Sequence, residues 1–129
     1  MVGIFWGLVF IFSFFVLRLF REYSYGEKRS YAFSDGKIGE GVFLYSSLFA
    51  KMFLRGNFKA VTVGKLIFVK HGYLSDESVI HELRHTVQYE ELGFFRFLWE
   101  YFKENRRAGY ACNVFEEEAR DHAGQNLRC

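Results

Sequence analysis

Not one proline occurs in this chain of 129 residues, so its turns must come from glycine, asparagine and serine. Cysteine is nearly as scarce. Cys112 and Cys129 allow at most one bridge, which excludes a disulfide-built scaffold, and they read as ordinary thiols. Excess charge of one sign is also missing. The formal net charge is +2, too small to point to nucleic acid as a partner. No internal repeat or low-complexity tract is present. What the chain has in abundance is aromatic surface. Phenylalanine alone supplies 17 residues and aromatics make up 21%, rich for a length that fits one domain.

Charge is absent altogether from Val2 to Leu17. Carried on to Phe20, the segment would form a helix roughly 28 Å long, close to the hydrocarbon thickness of a bilayer. A cleavable signal would need a basic start and a small-residue cleavage site, and "MVGIFW" and "LRLFREYSYGEK" offer neither. A buried helix is the remaining alternative. The reading adopted is a single-pass anchor over residues 1–21, followed by one domain over residues 22–129. Arg18 and Arg21 mark the end of the uncharged segment, and Lys28, Arg29 and Lys37 follow it. The excess of positive charge on that side places the domain in the cytoplasm, where both thiols stay reduced.

Along the domain, residues 22–41 read as a polar connection with a turn at Ser34–Gly36. Val42–Leu54 reads as a helix capped by Gly56. "FKAVTVGKLIFVK" is β-branched and aromatic and broken by Gly64, which predicts a short β-hairpin. Ser75 suits the N-cap of a helix that ends near Gly93. A second helix runs to about Arg107, and a last one starts at the N-cap Asn113. The fold class expected is α+β and mainly helical.

The helix from Ser75 carries His81, Glu82 and His85, an H-E-x-x-H pattern. Two histidines four residues apart share a helix face and can hold one zinc ion. Val79, Ile80, Leu83 and Val87 lie on the opposite side of the wheel, so the helix is buried behind and faces a cavity in front. Glu82 sits beside the pair, placed to take a proton from a zinc-bound water. Histidines at this spacing also occur as ordinary core or surface residues, so a third ligand decides. Gln88 and Glu91 occupy the places where a metzincin needs Gly and His, which rules that class out. The last helix offers Glu116, Glu117 and Glu118. Phe115, Ala119, Ala123 and Leu127 form its apolar stripe, and Glu116 falls inside it. A carboxylate there is costly unless paired or metal-bound, which selects Glu116. Glu117 and Glu118 read as solvated charges, with Glu118 the spare ligand candidate.

His81, Glu82 and His85, followed by Glu116 and Ala119, resemble the gluzincin zinc metallopeptidases. "VTVGKLIFVKHGYLSDESVIHELRHTVQYEELG" and "GYACNVFEEEAR" are similar to a group of small bacterial gluzincin-like proteins. These have a Gly-containing strand, an H-E-x-x-H-x-x-Q-Y helix and a terminal N-P-x-E-x-E-A. The likeness spans Val61 to Arg120. Val114 replaces the proline, and Asp121 comes one residue later than the aspartate that orients a ligand histidine in membrane gluzincins. The resemblance implies a minimal gluzincin core that hydrolyses a peptide or protein substrate, with Glu82 as base and the substrate extended along the Lys59–Lys70 hairpin. It also implies an oxyanion or supporting donor, for which Tyr110 and His122 are the candidates. A zinc-binding structural or interaction protein without peptidase activity is the alternative. The Phe94–Phe102 helix carries an aromatic face wide enough either to fill the core or to reach the membrane.

Overall fold

The computed structural model describes residues 2–54, 56 and 58–125. Its elements run α1 (Val2–Ser24), β1 (Glu27–Ala32), β2 (Ile38–Leu44), α2 (Leu48–Phe53), β3 (Ala60–Val63), β4 (Leu66–Val69), α3 (Asp76–Leu92), α4 (Phe94–Ala108) and α5 (Val114–His122). The fold is α+β, as the sequence suggests. Leu127 and Cys129 lie outside the described residues, and Cys112 is a free thiol.

Helix α1 is long and apolar enough to cross a membrane. Gly3 to Phe14 are exposed throughout, and only Phe15, Val16, Arg18 and Leu19 are partly covered in the stretch before Arg21. The junction with the body is polar. Glu22 accepts hydrogen bonds from the Ser47 hydroxyl (2.8 Å) and the Leu48 amide (2.6 Å), which anchors the N-terminus of α2 to the end of α1.

The sheet has the order β1-β2-β4-β3, and only the central β2–β4 pair is parallel. A parallel neighbour needs a crossover; α2 and β3 supply it. The β3–β4 hairpin turns through Gly64 and Lys65, with Gly64 at φ +65°, a left-handed conformation suited to a two-residue loop. Helix α3 lies across one face of the sheet. Phe33, Phe43, Ile67, Val69, Val79, Leu83 and Val87 form the core between them. Helices α4 and α5 both pack on α3.

Two expectations are corrected. Residues 22–41 are not a connection: they hold the end of α1, all of β1 and the start of β2, and Ser34–Gly36 is the turn of that hairpin. β1 is exposed along its whole length, so it has no apolar alternation to reveal it. β2 is disguised by Gly39 and Gly41. A Cβ on Gly39 would overlap the Leu83 carbonyl oxygen, and one on Gly41 would strike Ile67 and the Lys65 carbonyl. These glycines break the strand signature because α3 lies directly on Gly39, while the β4 side of the sheet closes on Gly41. Val42–Leu44 accordingly belongs to β2, and α2 starts only after the Ser47 cap. It ends at Leu54 rather than at Gly56.

Gly39→Ala is expected to destabilise the protein by about 1–3 kcal/mol, the usual cost of overpacking. Gly7→Ala, where an added methyl meets nothing within 4 Å, serves as the neutral control in thermal melts. Equal melting temperatures for the two variants would contradict the close helix–sheet contact.

Candidate metal centre

Helix α3 starts at Ser75, whose hydroxyl accepts the Ser78 amide at 3.3 Å, with Asp76 and Glu77 in the first turn where acids complement the dipole. Val79, Leu83 and Val87 fix its back to the sheet. His81 and His85 therefore face α5. That helix starts at the fully buried Asn113, whose Oδ1 accepts the Phe115 amide (2.9 Å) while its Nδ2 donates to the Tyr101 carbonyl and the Asn105 side chain. Ala119 and Ala123 are buried and small enough to let α5 come close to α3.

The result is a three-residue convergence. His81 Nε2 lies 3.0 Å from Glu116 Oε2, His85 Nε2 lies 3.0 Å from Glu116 Oε1, and the two Nε2 atoms are 3.2 Å apart. Glu116 is 4% exposed. These side chains are close enough to hold a metal ion.

The remaining ring nitrogens decide the tautomers. His81 Nδ1 meets Gln125 Oε1 at 2.9 Å, and His85 Nδ1 meets Gln88 Oε1 at 2.7 Å. The orientation of the Gln88 amide is set by its Nε2, which donates to the Phe115 carbonyl and to Glu118. An amide oxygen only accepts, so each Nδ1 carries the proton and each Nε2 presents a lone pair. Two lone pairs and a carboxylate then meet at one buried point, which needs a cation. Ligand atoms around a tetrahedral ion bound at ~2.0–2.1 Å stand ~3.3 Å apart, near the observed spacing. The donor set fits a metal.

Without metal, protons take its place. Burial disfavours charge on His85, but the adjoining Glu116 raises its pKa from 6.5 to about 9. Burial also works against the Glu116 carboxylate, and its hydrogen bonds from the imidazoles overcome this, holding its carboxyl well below the ordinary range.

Glu118, the spare ligand candidate, is engaged elsewhere. It accepts from Arg84 Nε (2.9 Å) and Gln88 Nε2 (3.1 Å), and Arg84 continues to Asp35 (2.9 Å). A chain Asp35–Arg84–Glu118–Gln88–His85 thus orients one ligand, a role second-layer groups play for metal-bound imidazoles. Asp121 is exposed and takes no part in this chain. Residues not singled out from the sequence also reach the centre. Tyr101 donates its hydroxyl to Glu116 Oε1 at 2.9 Å, Thr62 donates to Glu82 Oε2 at 2.6 Å, and Gln125 supports His81. Only Gln88 had a legible signal, three residues beyond His85.

Glu82 and Tyr110 line a cleft of about 470 Å³ together with His85, Glu116, Thr62 and Tyr101. Glu82 Oε1 has no protein hydrogen bond among the described residues. Burial pushes the Tyr110 phenol well above its ordinary pKa, and the nearby Glu116 and Glu82 charges push it further; it stays a hydrogen-bond donor. His122 is not brought into this cleft. It packs edge-on against Phe33, with ring centres 5.5 Å apart. Comparison with family models, curated proteins and solved structures returns no match.

Two outcomes are expected. Glu116→Ala should abolish stoichiometric metal binding, whereas Gln88→Ala should weaken affinity by about 10–100-fold while metal is still taken up; isothermal titration with zinc measures both. In chelator, the sign of each shift sets a pH window. The raised His85 pKa gives stability that is complete below about pH 6.5 and lost as pH rises through about 9. The depressed Glu116 pKa gives stability that is present above the ordinary glutamate value of 4.5 and lost in acid. The chelated protein should be most stable near pH 5–6.5 and weaken toward pH 9 by on the order of 3 kcal/mol. A melting temperature that climbs over that interval would contradict this.

Proposed function

We propose that this chain is a membrane-tethered zinc peptidase with His81, His85 and Glu116 as ligands and Glu82 as general base. The observation that carries the reading is the position of Glu82. Its carboxylate shares a cleft with the ligand atoms, one oxygen is held by Thr62, and the other has no hydrogen-bond partner among the described residues. A purely structural site has no use for such a group.

Two imidazoles and a carboxylate suit zinc better than harder cations, which prefer oxygen alone. Zinc at this point would supply Lewis-acid polarisation and lower the pKa of water. The protein's own groups do the rest. Glu82 accepts a proton at Oε1 and returns it to the leaving amine, and Thr62 keeps its other oxygen in place. Tyr110, held protonated, donates to an oxygen that gains negative charge. Strand β3 is an edge strand of the sheet and lines the same cleft; its Thr62 carbonyl already accepts from the Tyr89 hydroxyl, and an extended peptide could add through the remaining backbone groups of that edge. Helix α1 tethers the domain, with the basic residues after it favouring the cytoplasmic side.

Glu82→Gln is expected to lower turnover of a fluorogenic peptide library by about 10²–10⁴-fold and to leave zinc content unchanged. Undiminished cleavage would remove Glu82 from the chemistry. Full zinc binding by a parent protein that cleaves nothing would favour the structural or interaction role instead.

A further inference from the structure

We infer that the cleft opens onto the lipid bilayer, so that its ligand is an apolar peptide segment carried in or on the membrane. The inference rests on the tethering role of α1 proposed above and names the substrate class for the same site.

The length of α1 is the first ground. Gly3 to Phe14 are exposed throughout and provide about 18 Å of helix. A hydrocarbon core is about 30 Å thick. Most of the missing length must come from Phe15 to about Phe20, the stretch where α1 begins to be covered by the body. Phe15 lies 5.7 Å from the Phe49 ring of α2, and Glu22 binds the start of α2. If α1 spans the bilayer, α2 sits at its boundary.

Strand register then identifies what else lies at that end. The Ser47 amide donates to the Val69 carbonyl at 2.9 Å, and Ala60 pairs with Val69. The start of α2, the end of β4 and the start of β3 therefore share the end of the sheet nearest α1. The hairpin turn at Ser34–Gly36 is at the other end, since Glu27 pairs with Phe43 and Ala32 with Ile38. Phe53, Leu54, Phe58 and Ala60 form the near wall of the cleft that holds Glu82 and His85.

That wall is apolar and uncovered. Phe53 is 70% exposed and Phe58 44%, with Met52 beside them at 49%. Lys51 and Lys59 are exposed next to these side chains, and Lys70 is tied to Lys59 through the backbone at 2.8 Å. Apolar side chains fringed by lysines are the composition of a surface that enters the interface and meets anionic headgroups. Arg18 and Arg21 on α1 can extend to the same level. A water-soluble peptide would need no such rim, whereas a segment arriving from the bilayer would stay in apolar surroundings until it reached Glu82.

The test is quenching of tryptophan emission by acyl-chain-brominated lipids, using the full chain in vesicles containing anionic lipid. A single tryptophan is introduced by Phe53→Trp, by Met52→Trp or, as a control at the far end of β1, by Tyr31→Trp. Each is made in a Trp6→Phe, Trp99→Phe background. The native Trp6, with Trp99→Phe alone, reports insertion of α1. Strong quenching for Phe53→Trp and Met52→Trp and little for Tyr31→Trp is the expected result. Quenching of Trp6 without quenching at positions 52 and 53 would overturn the inference, because the cleft would then face water. Absence of quenching at Trp6 would overturn it as well, since α1 would not be inserted. The readout needs no turnover. Quenching at positions 52 and 53 in a protein that cleaves no peptide would support the bilayer-facing cleft while the peptidase reading fails.

Discussion

A buried carboxylate is the constraint around which this protein is arranged. Glu116 is 4% exposed and stands between two imidazole nitrogens at 3.0 Å each. Left alone, such a charge would cost several kcal/mol. It is tolerated because α3 brings two nitrogens and α4 a tyrosine hydroxyl to it. The helix–helix packing, the small residues Ala119 and Ala123 and the capping of α5 by Asn113 all serve that meeting. The same convergence concentrates lone pairs at one point, so the arrangement that satisfies Glu116 with protons also suits a divalent cation.

The layer behind the ligands shows how position is held. Each histidine has its Nδ1 occupied by a glutamine oxygen, one from its own helix and one from beyond the end of α5. Gln125 arrives there because α5 closes with Gly124 in the left-handed region and the Gln125 amide on the Arg120 carbonyl, a common way to end a helix. Glu118 works one step further back, through Gln88. Glu117 sits between Glu116 and Glu118 on the same turn, so three adjacent glutamates point in different directions as the 100° helical step requires.

Much of this was legible from sequence because it depends on local periodicity. The i, i+4 spacing placed His81 and His85 on one face, and the apolar stripe of the last helix singled out Glu116 without reference to any other chain. The caps Ser75 and Asn113 and the break at Gly64 were equally local. Strands β1 and β2 were not legible. β1 buries nothing, and β2 carries glycines whose purpose is visible only when α3 and β4 are packed against them.

The sequence by itself determined which residues could share a helix face, and with it the three donors, the neighbouring carboxylate Glu82 and a first helix apolar enough to cross a membrane. Short-range geometry suffices for those, since a helix or strand repeats within a few residues. Only the tertiary structure decided that Gln125, Tyr101 and Thr62 belong to the centre, that His122 turns to Phe33 instead, and that α2 stands between α1 and the cleft. These depend on contacts between segments far apart in the chain. No local period encodes them; they follow from the packing of α3 against both the sheet and α5.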